Sequence, residues 1–194
     1  EDIKAIEDIV RTGQFKVVKV EKKEVRRRPS PPFSTSTLQQ AASQKLGFAA
    51  ERTMRVAQSL YEGVDIGAGD AAGLITYMRT DSFSISKVAA EEARGFVKEK
   101  FGATYLPPTP PTYQTKSRGA QEAHEAIRPT SILRTPDEIR SFLNPDQAKL
   151  YELIWKSFVA SQMVEAVYDT VSADIENGQA LFHCTGRSLK FEGF

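Results

Sequence analysis

The sequence predicts an α+β protein in which a mainly helical domain is inserted into a smaller β-rich one. Three observations lead there. Apolar residues recur with a period near two at both ends of the chain and with a helical period between them. The stretch Arg28-Pro29-Ser30-Pro31-Pro32-Phe33 separates the first strand pattern from the first helix pattern, and prolines at that density fit neither a helix nor a central strand. Two helix starts with proline in the first turn, Thr135-Pro136-Asp137-Glu138 and Asn144-Pro145-Asp146-Gln147, mark the middle as helical. The implied division is 1–36 and 164–194 for the β-rich parts and 37–163 for the helical domain.

Composition sets the outer limits. With 194 residues, 40% hydrophobic and 26% charged, the chain can bury a core and is too apolar for disorder. No apolar run would cross a bilayer, and no charged-then-apolar leader is visible. The chain opens on Glu1 rather than methionine, as an excised piece would. The one cysteine, Cys184, excludes an internal disulfide framework and a thiolate zinc site. A reducing, cytoplasmic location fits that usage.

Each element has its own signal. Ile3, Ile6, Ile9 and Val10 stand at helical spacing, and Gly13 ends that helix. Phe15, Val17, Val18, Val20 and Val25 alternate loosely with charge, predicting a half-exposed strand from Gln14 to about Arg27. Ser36 or Thr37 can cap a helix through Leu38, Ala41, Ala42 and Leu46 that stops at Gly47. Residues 49–62 make a second helix, with Met54, Ala57 and Tyr61 on one stripe and Val56 and Leu60 beside it. Val64 to Gly73 is a glycine-rich loop. Ser86 opens a helix that turns Ala89, Ala93, Phe96, Val97 and Phe101 inward. Residues 104–119, with four prolines, are an irregular loop, and Gln121 to Arg128 has room for two helical turns. The helix after Asn144 is long and buries Leu150, Ile154, Phe158 and Val159. Val171, Ala173 and Ile175 then restore the period of two, with a turn at Asn177-Gly178 and a return through Leu181, His183 and Thr185.

The net charge of +1 is unevenly spread. Lys16 to Arg28 carries +5, and the rest of the chain −4. A run of that kind can face phosphate, or it can be a solvated edge strand whose lysines block pairing with another chain. Arg26, Arg27 and Arg28 are the DNA-binding candidates within it.

Two motifs could carry chemistry. In Gly73-Leu74-Ile75-Thr76-Tyr77-Met78-Arg79-Thr80-Asp81-Ser82, an extended backbone puts Tyr77, Arg79 and Asp81 on one side and Thr76, Met78 and Thr80 on the other. A guanidinium near a phenol favours phenolate and binds phosphate in bidentate fashion. The pair therefore suits attack by tyrosine on a phosphodiester, although a core tyrosine beside a surface arginine has the same spacing. In Ala123-His124-Glu125-Ala126-Ile127-Arg128-Pro129, a helix would bring His124 and Arg128 to one face, where both could meet a phosphate oxyanion, which makes Arg128 a further DNA-binding candidate; an exposed polar helix is the plainer alternative. Metal binding fits that segment less well, since no second histidine is near and Glu122 and Glu125 give no familiar ligand pattern. Gly67-Ala68-Gly69-Asp70 lacks the lysine of a phosphate-binding loop, and His183 reads as structural.

Taken together, these residues resemble the type IA DNA topoisomerases, in the wording of bacterial DNA topoisomerase I. The resemblance runs in order along nearly the whole chain. It covers Pro31-Pro32-Phe33-Ser34-Thr35-Ser36-Thr37-Leu38-Gln39-Gln40-Ala41-Ala42, then Thr53-Met54, Ala57-Gln58, Leu60-Tyr61-Glu62, the Tyr77 motif, Ala123 to Thr130, and Leu153-Ile154-Trp155. It implies that Tyr77 attacks one DNA strand to form a 5′-phosphotyrosine bond, that Arg79 holds the scissile phosphate, and that His124 assists there. It also implies a helical domain hung on a β-rich arch, and DNA, single-stranded and negatively supercoiled, as partner of a monomer in the cytoplasm and its nucleoid.

The family's Mg²⁺ belongs to an acidic cluster on a toprim domain, and nothing in this sequence matches that domain or the carboxy-terminal DNA-binding modules. The expectation is a central fragment with no metal site of its own, inactive alone in relaxation. A DNA-holding gate module that does not cleave, or a piece of topoisomerase III or reverse gyrase, are the alternatives.

Overall fold

A computed structural model describes residues 3–67, 69, 71–113 and 124–194. Along the chain run α1 (Ile3–Thr12), β1 (Lys16–Arg27), α2 (Thr35–Leu46), α3 (Ala50–Glu62), β2 (Val64–Asp65), β3 (Ala71–Ala72), α4 (Lys87–Lys100), α5 (Pro136–Ile139), α6 (Pro145–Ser161), β4 (Ala166–Asn177) and β5 (Ala180–Phe191), with single 3₁₀ turns at Ala103–Tyr105 and Arg140–Phe142. The fold is a mixture of helix and sheet, as the periodicity predicts. Contacts divide it into two compact units. One joins Glu1–Arg28 to Glu165–Gly193; the other is Pro29–Val164 together with Phe194. Residues 29–36, grouped above with the β-rich part, make their contacts in the helical unit.

The first unit is built on an antiparallel sheet in the order β1-β4-β5. β1 runs against β4 with Val20 opposite Ala173 and Val25 opposite Tyr168, and one register shift lies between Val17 and Lys19. The turn between β4 and β5 is Gly178-Gln179, one residue later than expected, because Asn177 already pairs with Ala180. Asn177 instead donates from Nδ2 to the Ile9 carbonyl at 3.0 Å, tying the sheet to α1. β1 starts at Lys16 and is exposed on both faces rather than half-exposed. Ile3, Ile6 and Val10 of α1 are exposed too.

The second unit has two cores. Leu38 and Ala42 of α2, Val56, Ala57 and Leu60 of α3, and Leu150, Tyr151 and Ile154 of α6 close around Leu74, Ile75, Met78 and Ile127. A second cluster packs Ala93, Phe96 and Val97 of α4 on Ile132, Phe158 and Val159. Trp155 joins them: its indole stands perpendicular to Phe96 at 5.4 Å and donates to the Ile132 carbonyl at 2.9 Å. Fully burying one such leucine or isoleucine contributes about 1.5–3 kcal/mol, so these clusters set the frame on which the exposed motifs sit.

Local chemistry sets the helix ends. Ser34, not Ser36 or Thr37, caps α2, and Thr37 closes the reciprocal capping box at the third position. Gly47 ends the helix at φ 68°, a left-handed conformation that glycine adopts without strain. The Thr135 signal yields only one turn before the 3₁₀ turn, whereas the Asn144 signal opens the full seventeen-residue α6.

Candidate active site

The Tyr77 segment is extended, and its burial alternates. Met78, Thr80 and Ser82 are buried, while Tyr77, Arg79 and Asp81 are exposed. A backbone with period two produces that alternation, but an isolated extended segment has no ladder to hold it. Two neighbouring stretches supply the missing hydrogen bonds.

On one side lies the chain entering α2. The Thr35 amide donates to the Thr80 carbonyl at 2.9 Å, and the Thr35 hydroxyl donates to the Met78 carbonyl at 2.7 Å while accepting from the Thr80 amide at 2.9 Å. These bonds flank Arg79 on its two sides, at Met78 and at Thr80. On the other side lies Ala126 to Thr130. The Thr76 amide donates to the Arg128 carbonyl, the Thr130 amide to the Leu74 carbonyl, and Ile75 bridges Pro129. The Thr76 hydroxyl donates to the Ala126 carbonyl at 2.7 Å and accepts from the Arg128 amide at 3.0 Å. The same stretch reaches across to the α2 entrance, where the Ile127 amide donates to the Phe33 carbonyl at 2.7 Å.

These bonds rule out the expected helix. His124 to Arg128 is not helical, because Ile127 and Pro129 are committed to bridges; Gln121, Glu122 and Ala123 lie outside the described residues, as do Ala68 and Asp70. His124 and Arg128 therefore do not share a helical face. His124 is exposed, and its ring lies 6.3 Å from the Tyr77 ring. Arg128 has a side chain only 12% exposed. Its guanidinium donates from Nε to Glu125 at 2.7 Å and from Nη1 to the Pro129 carbonyl at 2.9 Å. That is a structural commitment, with little of the guanidinium left for a phosphate.

The structure thus brings together Tyr77, Arg79 and His124 on one unit, with Tyr61 packed edge-on to Tyr77 at 5.4 Å. Arg26, Arg27 and Arg28 belong to the other unit. Arg26 pairs with Glu24 at 3.0 Å and Arg28 with Glu165 at 2.7 Å. Glu24 also accepts from Lys190 at 2.8 Å. These bonds from Lys190 and Arg26 hold the Glu24 carboxyl below its ordinary range, and the Glu24 contact raises the Lys190 ammonium. Tyr151, unlike Tyr77, is sealed in the core with its hydroxyl on the Arg134 carbonyl at 2.7 Å, and burial pushes its phenol up. An inert tyrosine and an accessible one thus occur in the same unit.

Reading the sequence for charged and aromatic groups missed Thr35, Thr76 and Tyr61. The first two are hydroxyls within the quoted motifs, and a threonine beside an alternating apolar segment is the signal that could have found them. Tyr61 belongs to a helix stripe and to the quoted Leu60-Tyr61-Glu62 motif, but nothing in the sequence places it beside Tyr77. Among the described residues no three His, Cys, Asp or Glu side chains gather as a metal site.

A family model described as DNA topoisomerase matches residues 1–194. The chain is 49% identical over 186 residues to DNA topoisomerase 1 of Xylella fastidiosa strain 9a5c, covering 95% of this chain and 23% of that protein. It is 49% identical over 183 residues to its counterpart in strain Temecula1, covering 94% and 22%. The solved structure of full-length topoisomerase I from Thermotoga maritima superposes with a TM-score of 0.86 at 40% identity, covering all of this chain and 31% of the other. The chain spans about a quarter of the length of the curated relatives it matches. By that match along its whole length, the chain belongs to the DNA topoisomerase family.

Proposed function

We propose that this chain is the part of a type IA topoisomerase that carries the nucleophile, and that Tyr77 attacks a backbone phosphate of single-stranded DNA. The observation that carries the reading is the exposed row Tyr77–Arg79 on a segment whose other face is buried and hydrogen-bonded from both sides. The phenolic oxygen forms the new O–P bond, and the bond from phosphorus to the 3′-oxygen breaks. The 3′-oxygen gains a proton and the phenol loses one. A second strand passes while the 5′-phosphate stays on Tyr77, and the reverse displacement reseals the break, which relaxes negative supercoils. Arg79 holds the phosphate oxygens through charge-assisted hydrogen bonds, and His124 supports the same phosphate. Any Mg²⁺ of the whole enzyme would be held by acidic residues of a toprim domain rather than by this chain, and it would supply charge stabilisation. Cytoplasmic action on nucleoid DNA, as a monomer, accompanies this reading.

The experiment is covalent trapping with the full-length enzyme on end-labelled single-stranded DNA. Tyr77→Phe keeps the ring and removes the nucleophilic oxygen, so the adduct is expected to vanish while binding persists. An adduct that survives in Tyr77→Phe would place the attack elsewhere. The isolated 194-residue chain is expected to leave supercoiled plasmid unrelaxed with or without Mg²⁺; robust relaxation at catalytic amounts would show that this part suffices.

A further inference from the structure

We propose that Tyr61 is a positioning residue for the nucleophile, an inference that rests on Tyr77 being the attacking group. Sixteen positions separate the two tyrosines, yet their rings meet at 5.4 Å with an interplanar angle of 62°. The chain leaves α3 after Glu62, makes a short excursion in which Val64 pairs with Ala72 and Asp65 with Ala71, and returns to where it left. The neck of that excursion is closed tightly. The Leu74 amide donates to the Leu60 carbonyl at 2.8 Å, and a Cβ on Gly73 would stand 2.8 Å from the Tyr61 carbonyl oxygen. Leu60, next to Tyr61, is fully buried. The backbone under Tyr61 is therefore fixed to the backbone that leads into Tyr77.

Above that fixed base both rings are open to solvent, Tyr61 at 41% and Tyr77 at 39% exposure. An exposed tyrosine on a rigid backbone still has three staggered χ1 wells. Only a rotamer that keeps the phenolic oxygen beside Arg79 can attack a phosphate held there, so the rate scales with that rotamer's population. An edge-to-face contact favours one well, and ordering done before the substrate arrives is not required again in the transition state. The contact needs the Tyr61 ring but not its hydroxyl, which separates this role from phosphate binding.

The test uses the full-length enzyme with Tyr61→Leu and Tyr61→Phe. Two quantities are read: the single-turnover rate of adduct formation on end-labelled single-stranded DNA, and the Kd for the same strand in a Tyr77→Phe background. Tyr61→Leu is expected to slow adduct formation roughly tenfold and to leave Kd within about twofold, while Tyr61→Phe recovers most of the rate. Melting curves matching the parent exclude a folding defect; if Tyr61→Leu melts early, Tyr61→Met replaces it. An unchanged rate in the variant without the ring overturns the proposal. So does a loss of affinity that accounts for the lost rate, which would make Tyr61 a base-stacking platform. A Tyr61→Phe variant as slow as Tyr61→Leu also overturns it, by assigning the role to the hydroxyl. If the adduct persists in Tyr77→Phe, the nucleophile itself is misassigned, and that outcome is distinct from the others.

Discussion

Thr35 and Thr80 hold each other through reciprocal amide hydrogen bonds, Thr35 amide to Thr80 carbonyl and Thr80 amide to Thr35 hydroxyl, each at 2.9 Å. That hydroxyl donates its single proton to the Met78 carbonyl at 2.7 Å, on the near side of Arg79, with the Thr80 carbonyl also within reach at 3.1 Å. A residue 44 positions upstream of Arg79 thus sets the backbone on both sides of it. Thr35→Val removes the hydroxyl at nearly constant volume and leaves the Thr80 amide and the Met78 carbonyl short of a partner. The expected cost is about 1–3 kcal/mol, read by chemical denaturation, with Thr35→Ser close to the parent. A valine variant as stable as the parent would refute the clamp.

Arg79 and His124 differ in what they contribute. Arg79→Ala is expected to lower the cleavage rate by about 2–4 kcal/mol of transition-state stabilisation, by analogy with other electrostatic stabilisers. His124→Ala should slow cleavage less than Tyr77→Phe, because the histidine makes no bond to phosphorus. Single-turnover cleavage by the full-length variants ranks them; a His124 variant as dead as Tyr77→Phe would assign the histidine a more direct part.

Arg128 should behave as a structural residue. Its guanidinium is mostly buried and committed to Glu125 and Pro129, so Arg128→Ala should cost about 1.5–3 kcal/mol of stability. The affinity for single-stranded DNA should change little. A large loss of affinity with unchanged stability would reverse that assignment.

The basic stretch makes a different prediction. Single-stranded DNA binding by the chain should be weak and should fall with salt, since contacts to phosphate release counterions. Because Arg26 and Arg28 are already paired with Glu24 and Glu165, neutralising Arg26, Arg27 and Arg28 should shallow the salt slope by fewer than three contacts. Anisotropy across a salt series measures it, and an unchanged slope would mark the stretch as a solvated edge.

The cap of α5 titrates. Glu138 accepts from the Thr135 amide at 3.0 Å and from its hydroxyl at 2.9 Å. The backbone bond first and the hydroxyl second hold its carboxyl below the ordinary value. A depressed folded-state value means that the cap contributes above the unfolded carboxylate pKa and is lost as pH falls through the lower, folded value. A carboxyl titration followed by NMR should show the Glu138 midpoint below that of a free glutamate; a midpoint at or above it would show that the box does not persist in solution.

Much of this was legible in the sequence because it is local. The alternation Thr76–Asp81 follows from an extended backbone, the capping boxes at Thr135 and Asn144 from residues three apart, and α3 and α6 from apolar spacing. The nature of the Tyr77 motif came from residue types in a fixed order. What the sequence could not decide depends on partners distant along the chain. His124–Arg128 had the composition of a helix, yet hydrogen bonds to Phe33, Ser84 and Thr76 draw it into an extended form, since a buried backbone group must find a partner wherever one is offered. Those contacts turn Arg128 inward, and other pairings distant along the chain leave Arg79 outward and, through the Leu74 amide on the Leu60 carbonyl, set Tyr61 against Tyr77. Residue order determined which groups could react; long-range backbone pairing decided which of them face solvent together.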